Sequence, residues 1–473
     1  MGAILPCPVT STIIEREGRH GFRVGVAEMN GWRNKMEDAH IIYMKEGWGF
    51  FGVFDGHGGD QCSKYVAKEI RAKLDEMGEC PKDDAAVKKL VLDVDANFLA
   101  TGTESGSTAA MCIVEAPATG SSKYKLRVAN AGDSRVLLGK MDGTIVDGGG
   151  TQEGLTTDHK PDWPSEEERI KKSGGYVDRS QGVARVNGDL AVSRGFGDAK
   201  FKQGGATPEE LVVTADPELG TFECEQPDFL VIVCDGVSEG NFPNPEVIKL
   251  AATSLTEKSD PGVAAQKVIH MALNQNSKDN ITCMIVLFTG TEVEENKVEF
   301  HPGPFKAESS EFVTAYKSMA ERAGLGLEEA VGMRAEKVQE ELDSPETAAP
   351  EKEALQNEMS TIKAERWKCP SSNSAPGALD DIMRLLGGAQ QAPAETHILR
   401  RVKCADLETL RDAVQKHDAL KWDDRMEVLS EKEGGVQVDD PSDGTSKVKF
   451  ERESLVVWLP TDILTEVSEE EKP

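Results

Sequence analysis

Three apolar runs in this chain end or begin on an aspartate. WGFFGVF (48–54) runs into Asp55-Gly56-His57-Gly58-Gly59, and FLVIVC (229–234) runs into Asp235-Gly236. ITCMIVLF (281–288) is preceded directly by Lys278-Asp279-Asn280. Short apolar runs bounded by Gly, Asp and Asn read as strands. A strand that ends on a carboxylate holds it rigidly at the edge of a sheet. A fourth case is Met36-Glu37-Asp38-Ala39-His40, just ahead of the run HIIYM. Such ends brought together concentrate like charge, which is unfavourable unless a cation fills the cluster. Carboxylate oxygens suit Mg²⁺ or Mn²⁺ better than zinc. One Asp-Gly after one strand would be only a turn; the repetition carries the metal reading.

Further short runs (FRVGVAEM, STAAMCIVEA, YKLRVANAG, SRVLLG, LVVTADPEL) punctuated by Gly and Asp turns point to antiparallel sheets between residues 20 and 300. Helical spacing falls at 59–76, 83–100, 164–173 and 244–275. The reading is a layered α+β domain. After residue 300 charge thickens, with helix formers at 305–342 and 351–367, either packed on the preceding domain or forming a spacer. Pro/Gly/Ser/Gln-rich linkers at 369–376 and 387–394 flank a short amphipathic helix, LDDIMRLL. A compact unit resumes at 395, with a helix at 405–417, a hairpin signal at DPSDGT, and Trp422, Phe450 and Trp458 as a shared core. The expected domains are therefore 1–300 (catalytic), 301–368 (charged helical extension), 369–394 (linker) and 395–473 (small β-rich interaction module).

Charge excludes several classes. With 54 Lys+Arg against 83 Asp+Glu, the net charge is −29, which argues against nucleic acid or an anionic membrane as partner. No apolar run approaches the ~18–20 residues of a membrane span. Nine scattered cysteines without a CxxC pair fit reduced thiols, hence cytoplasm or nucleus. No cysteine has an arginine six positions on, which disfavours a cysteine-nucleophile phosphatase. No GxxxxGK[ST] loop is present either.

Eight motifs carry a resemblance. GWRNKMEDAH (31–40), FFGVFDGHGG (50–59), SGSTA (105–109), VANAGDSRVLL (128–138), LTTDHKP (155–161), RVNGDLAVSRGFGD (185–198), VCDG (233–236) and KDNIT (278–282) stand in the order of the metal-dependent protein phosphatases of type 2C. Over about residues 20–290 the chain resembles that Ser/Thr-specific family. The resemblance implies a four-layer α/β/β/α sandwich, two antiparallel sheets flanked by helices. It also implies a dinuclear Mg²⁺ or Mn²⁺ site between the sheets. By position in the motifs, Asp55 matches the bridging carboxylate, Gly56 a carbonyl ligand, Asp235 and Asp279 the other ligands of the first metal, and Glu37 the second metal through water. Arg33 matches the phosphate-binding arginine, His57 the proposed general acid, and Asp38 a carboxylate that holds water at the metals. Phosphoprotein substrates follow, hydrolysed without a phosphoenzyme intermediate. The alternative is a pseudophosphatase scaffold, which would be expected to have lost a ligand.

Two departures bear on a third metal. Where the family commonly has CDGxWD, Ser238 replaces the Trp and Glu239 the second Asp. Glu239 reaches ~1.5 Å further than Asp would, so the third site, Asp133 with Glu239, is the one in question. Asp198 reads as structural or a wall of the cleft, Lys160 as part of a shaped loop, and Cys62 and Cys234 as buried fillers. The segment 199–212 matches a flap beside the cleft. Gly2 after Met1 permits N-myristoylation, with Cys7 a second lipid site, although Pro6 stands where Ser or Thr is usual. The competing reading is that the first residues join the sheet. A monomer is expected, with 395–473 as the surface for a protein partner.

Overall fold

The computed structural model describes residues 4–180, 182–204 and 207–364, together with five strands between 400 and 466. The chain divides into two units, 1–372 and 373–473.

The first unit is built on two antiparallel sheets. Their strands are β1 (Ile4–Arg19), β2 (Phe22–Arg33), β3 (Ala39–Lys45), β4 (Trp48–Phe54), β5 (Ala109–Glu115), β6 (Lys123–Ala131), β7 (Arg135–Gly139), β8 (Glu218–Glu225), β9 (Phe229–Val233), β10 (Ile281–Phe288) and β11 (Glu295–His301). The first sheet has the order β11-β1-β2-β10-β9-β7 and the second β8-β6-β5-β4-β3. The apolar runs are continuous because both faces of these strands are covered. On β2, Phe22, Val24 and Val26 point between the sheets, with Leu230, Ile232, Met284 and Val286 from the same sheet and Phe51, Val53, Leu126 and Val128 from the other. Ala27 and Met29, of opposite parity, face outward with Val231, Cys283 and Ile285.

Helices α1 (Gln61–Met77) and α2 (Asp84–Leu99) cover the second sheet. A shorter α3 (Pro164–Lys172) follows; α4 (Asn244–Lys258) and α5 (Pro261–Asn274) cover the first sheet. Four layers result, as the sequence resemblance implies. The single helix expected at 244–275 is two. Ser259 turns left-handed (φ 50°), the Asp260 side chain caps Gly262 and Val263, and Pro261 opens α5.

The chain's beginning joins the sheet: β1 pairs with β2 through two register irregularities, and with β11. Gly2 lies outside the described residues. Beyond β11 come α6 (Ser310–Arg322), α7 (Leu327–Asp343) and α8 (Ala349–Lys363), the first break falling at Gly324 (φ 77°). These helices pack on the sheet: Phe312, Tyr316 and Met319 of α6 bury against Leu5, Val9, Ile13, Met36 and Phe300. The expected boundary at residue 300 thus falls inside β11, within a shared core.

In the second unit, strands 455–460, 445–450, 435–439, 400–404 and 464–466 form one antiparallel sheet in that order. Strands 435–439 and 445–450, on either side of the DPSDGT hairpin signal, pair antiparallel. The linkers 369–376 and 387–394, the helices at LDDIMRLL and 405–417, Trp422, and the side chains of Phe450 and Trp458 lie outside the described residues. Among those described, no helix is long and apolar enough to cross a membrane, and Cys7, Cys62, Cys80, Cys112, Cys224, Cys234 and Cys283 are free thiols.

Candidate metal centre and phosphate cleft

The carboxylates meet at one end of the seam between the sheets. Pairing of Ala39 with Phe54 sets Asp38, one residue before β3, beside Asp55, one residue after β4. These two and Glu37 come from the second sheet. Asp235 starts a one-turn helix (Asp235–Ser238) after β9, and Asp279 stands two residues before β10; both belong to the first sheet. Asp133 follows β6. Gly56 and His57 pair with Ser107 and Gly106. A Cβ on Gly56 would lie 2.3 Å from the Glu37 carbonyl oxygen, so the two chain segments approach as closely as glycine allows.

Burial and mutual repulsion raise the proton affinity of Asp38, Asp55 and Asp235. Burial, then Asp235, Asp38 and Asp279, push Asp55 well above the carboxylate range. Burial, then Asp133 and Asp279, do the same to Asp235. Burial pushes Asp38 up to about 7, although Thr282 Oγ1 donates to its Oδ2 across the seam at 2.6 Å. Asp38 Oδ1 and Asp235 Oδ1 are buried without a hydrogen-bond partner. Two cations lean on the rim, Arg33 through Nη2 on Asp279 Oδ2 and Lys160 on Asp133 Oδ2. Buried, mutually repelling oxygens with orphaned lone pairs are what a hard divalent cation requires. The residues present therefore fit the metals that the resemblance implies.

His57 faces this cluster. Its Nε2 lies 2.8 Å from Asp198 Oδ2. Burial opposes the imidazolium, but Asp198, Asp133 and Glu37 outweigh it and raise its pKa. A cleft of about 660 Å³ opens in front, lined by Arg33, Glu37, His57, Asp198, Lys200 and Phe201. The last two come from the segment 199–212 that matches the family's flap, of which residues 205 and 206 lie outside the described residues.

Four residues do more than their sequence context announces. Lys160 is a counter-ion within the cluster rather than only part of a loop. Asp198 orients the imidazole. Cys234 is buried, as expected of a filler, yet its Sγ and one oxygen each of Asp38 and Asp55 all lie within 4.8 Å of one another. Asn280 donates to the carbonyls of Asn30 (2.8 Å) and Lys35 (2.9 Å) and accepts from the Glu37 amide (2.9 Å), tying the arginine and glutamate loops to the Asp279 loop. Its place between Asp279 and a strand was the available signal. Of the two residues expected at a third metal, Asp133 is held by Lys160. Glu239 accepts from Ser277 Oγ (3.1 Å) and the Lys278 amide (2.6 Å), bracing the loop before Asp279.

Comparison with known proteins gives a consistent picture. A family model described as Protein phosphatase 2C matches residues 22–281. The chain is 30% identical over 360 residues to "Probable protein phosphatase 2C 60" of Arabidopsis thaliana, covering 63% of this chain and 95% of that one. It is 32% identical to "Protein phosphatase 2C homolog 2" of Schizosaccharomyces pombe, covering 61% and 79%. Among solved structures, a phosphatase from Toxoplasma gondii superposes with a TM-score of 0.54 at 29% identity, covering 62% of this chain and all of the other.

Proposed function

The chain belongs to the protein phosphatase 2C family, metal-dependent Ser/Thr phosphatases, and on that premise we propose that it hydrolyses phosphoserine and phosphothreonine in proteins by direct attack of water. The observation that carries this reading is the set of buried carboxylates converging from both sheets, two of whose oxygens lack any partner. Asp55, Asp235, Asp279 and the Gly56 carbonyl would hold one ion, and Glu37 with Asp55 a second. Bound there, Mg²⁺ or Mn²⁺ would neutralise the carboxylates, lower the pKa of water and draw charge from the phosphoryl oxygens.

The chain's own groups do the rest. Arg33 stands at the cleft with its side chain 37% exposed, free to turn one edge of its fork toward phosphate while Nη2 keeps Asp279. Asp38 holds the attacking water with its unpartnered Oδ1. His57 takes its orientation from Asp198 through Nε2, which leaves Nδ1 to protonate the departing Ser or Thr oxygen. A covalent cysteine intermediate is disfavoured: burial drives the Cys62 and Cys234 thiols far above the range where thiolate forms. The scaffold alternative lacks its usual mark, since Arg33, Glu37, Asp55, Asp235 and Asp279 all remain.

The test is phosphate release from phosphoserine and phosphothreonine peptides by protein stripped with EDTA and resupplied with Mn²⁺ or Mg²⁺. Release that depends on resupply is expected, and full release in excess EDTA would refute the reading. In ¹⁸O-water, a single turnover should label the phosphate without any acid-stable phosphoprotein forming.

A further inference from the structure

Helix α6 contributes no ligand, yet it grips the limb that carries Glu37 and Asp38. Met36 is 3% exposed and belongs to the apolar cluster of Phe312, Tyr316 and Met319. Two residues beyond Met36, the Asp38 carbonyl accepts at 3.1 Å from Nη2 of Arg322, the last residue of α6, which also donates to Glu28 Oε2 at 2.8 Å. Glu37 is thus bracketed by two attachments to one helix. The guanidinium is itself seated in a row of charge. Glu28 is 3% exposed, its Oε1 lies 2.8 Å from His40 Nδ1, and His40 Nε2 lies 3.1 Å from Glu15 Oε2. The row runs through β1, β3, β2 and α6 and ends on the backbone of Asp38. Stability alone does not call for it: apolar replacement of a buried ion pair is often neutral or stabilising. The apolar side of α6 already anchors the helix.

We propose that Arg322 is a positioning residue for the metal centre, fixing the Glu37–Asp38 limb through the Asp38 carbonyl, so that helix α6 completes a site whose ligands all lie before it in the chain. This rests on the phosphatase reading above. Groups that orient ligands without touching the metal typically change metal affinity by about 10–100-fold when removed.

The experiment is titration of metal-stripped full-length protein with MnCl₂, reading free Mn²⁺ by electron paramagnetic resonance, with phosphopeptide kinetics in parallel. Arg322→Ala should weaken Mn²⁺ binding by about 10-fold or more and lower kcat at limiting Mn²⁺, with the KM for phosphopeptide unchanged. Arg322→Lys, which keeps one donor, should recover part of the affinity. Val338→Ala, in the α7–α8 contact with Leu355 and Met359, should lower the melting temperature and leave Mn²⁺ affinity unchanged. Wild-type Mn²⁺ affinity in Arg322→Ala overturns the proposal, and so does an equal loss in Val338→Ala. Should Arg322→Ala fail to fold, Arg322→Lys and Glu28→Gln replace it, and wild-type affinity in both overturns the proposal. A wild-type chain that binds Mn²⁺ but releases no phosphate refutes the phosphatase reading and leaves this comparison intact.

Discussion

Gly106 offers a direct test of the His57–Asp198 pair. Its backbone is outside the left-handed region, so alanine can adopt it. An added Cβ would nevertheless lie 2.3 Å from His57 Nε2 and 2.3 Å from Asp198 Oδ2. Ordinary contact begins near 3.5 Å, so each group must retreat by about 1 Å. Such a retreat breaks the 2.8 Å bond or carries the imidazole with it. A hydrogen bond to a charged group contributes about 1.5–3 kcal/mol, and each 1.36 kcal/mol is tenfold in rate. Gly106→Ala should therefore reduce kcat on a phosphothreonine peptide by about 10–100-fold, in line with the loss typical of an ~1 Å misplacement. The assay sets that peptide beside p-nitrophenyl phosphate at saturating Mn²⁺. An alkoxide needs a proton to leave and nitrophenolate does not, so the nitrophenyl ester should be affected far less. Asp198→Asn should show the same split without steric intrusion. Equal losses on both substrates, or unchanged peptide turnover in Gly106→Ala, would refute the role given to the pair.

Other outcomes follow from the same geometry. Asp55→Asn and Asp235→Asn should each lose at least ~100-fold in turnover. In EDTA both should melt no lower than wild type, since one buried like charge is gone; a clear drop would contradict the charge argument. Glu28 has its pKa lowered from 4.5 to about 2: burial opposes the carboxylate, but Arg322 and His40 outweigh it. Because its folded pKa is depressed, whatever stability its ionised form contributes is present above pH 4.5 and lost as pH falls toward 2. Urea midpoints should fall more steeply over that window in wild type than in Glu28→Gln. Arg33→Ala should raise the phosphopeptide KM about tenfold with a smaller change in kcat at saturating Mn²⁺; a pure kcat loss would reassign it. A chain ending at 364 should keep p-nitrophenyl phosphate turnover within a few-fold of full length. One ending at 300 uncovers Leu5, Val9, Ile13 and Met36 and should melt at lower temperature; equal melting of the two would refute the shared core.

The carboxylates were legible because each stands at the end of an apolar run, where chain order and spatial order agree. Asp55 against Asp38 needs only the β3–β4 hairpin. The sandwich was legible from the family order of its motifs, and a layered α+β domain from short strand runs alternating with helical spacing. What stayed hidden depends on partners remote in sequence. Lys160 reaches Asp133 from 27 residues away, and Arg322 reaches Asp38 from 284 residues away; no local pattern marks either. Residues 4–19 were hard to read as a strand because Pro6 and Pro8 interrupt the alternation, and the structure absorbs them with register irregularities before Thr12. The break at Ser259-Asp260-Pro261 was visible as Pro at a helix start, but the helical period runs on through it.

The two ends of the sandwich are unlike. At the end away from the carboxylates, Tyr124 of one sheet stacks on Phe288 of the other with ring centroids 4.6 Å apart, and Phe22 meets Phe51 edge-on at 5.5 Å. At the other end, aspartates of opposite sheets repel. The sandwich of the first unit is joined by aromatics at one end and strained by like charge at the other, where bound divalent ions would relieve the repulsion. Metal loading would then support the architecture as well as the chemistry. Resistance to heat and to proteolysis of the loops at the carboxylate end should climb with the logarithm of free Mn²⁺ above its dissociation constant, in a protein that never sees substrate.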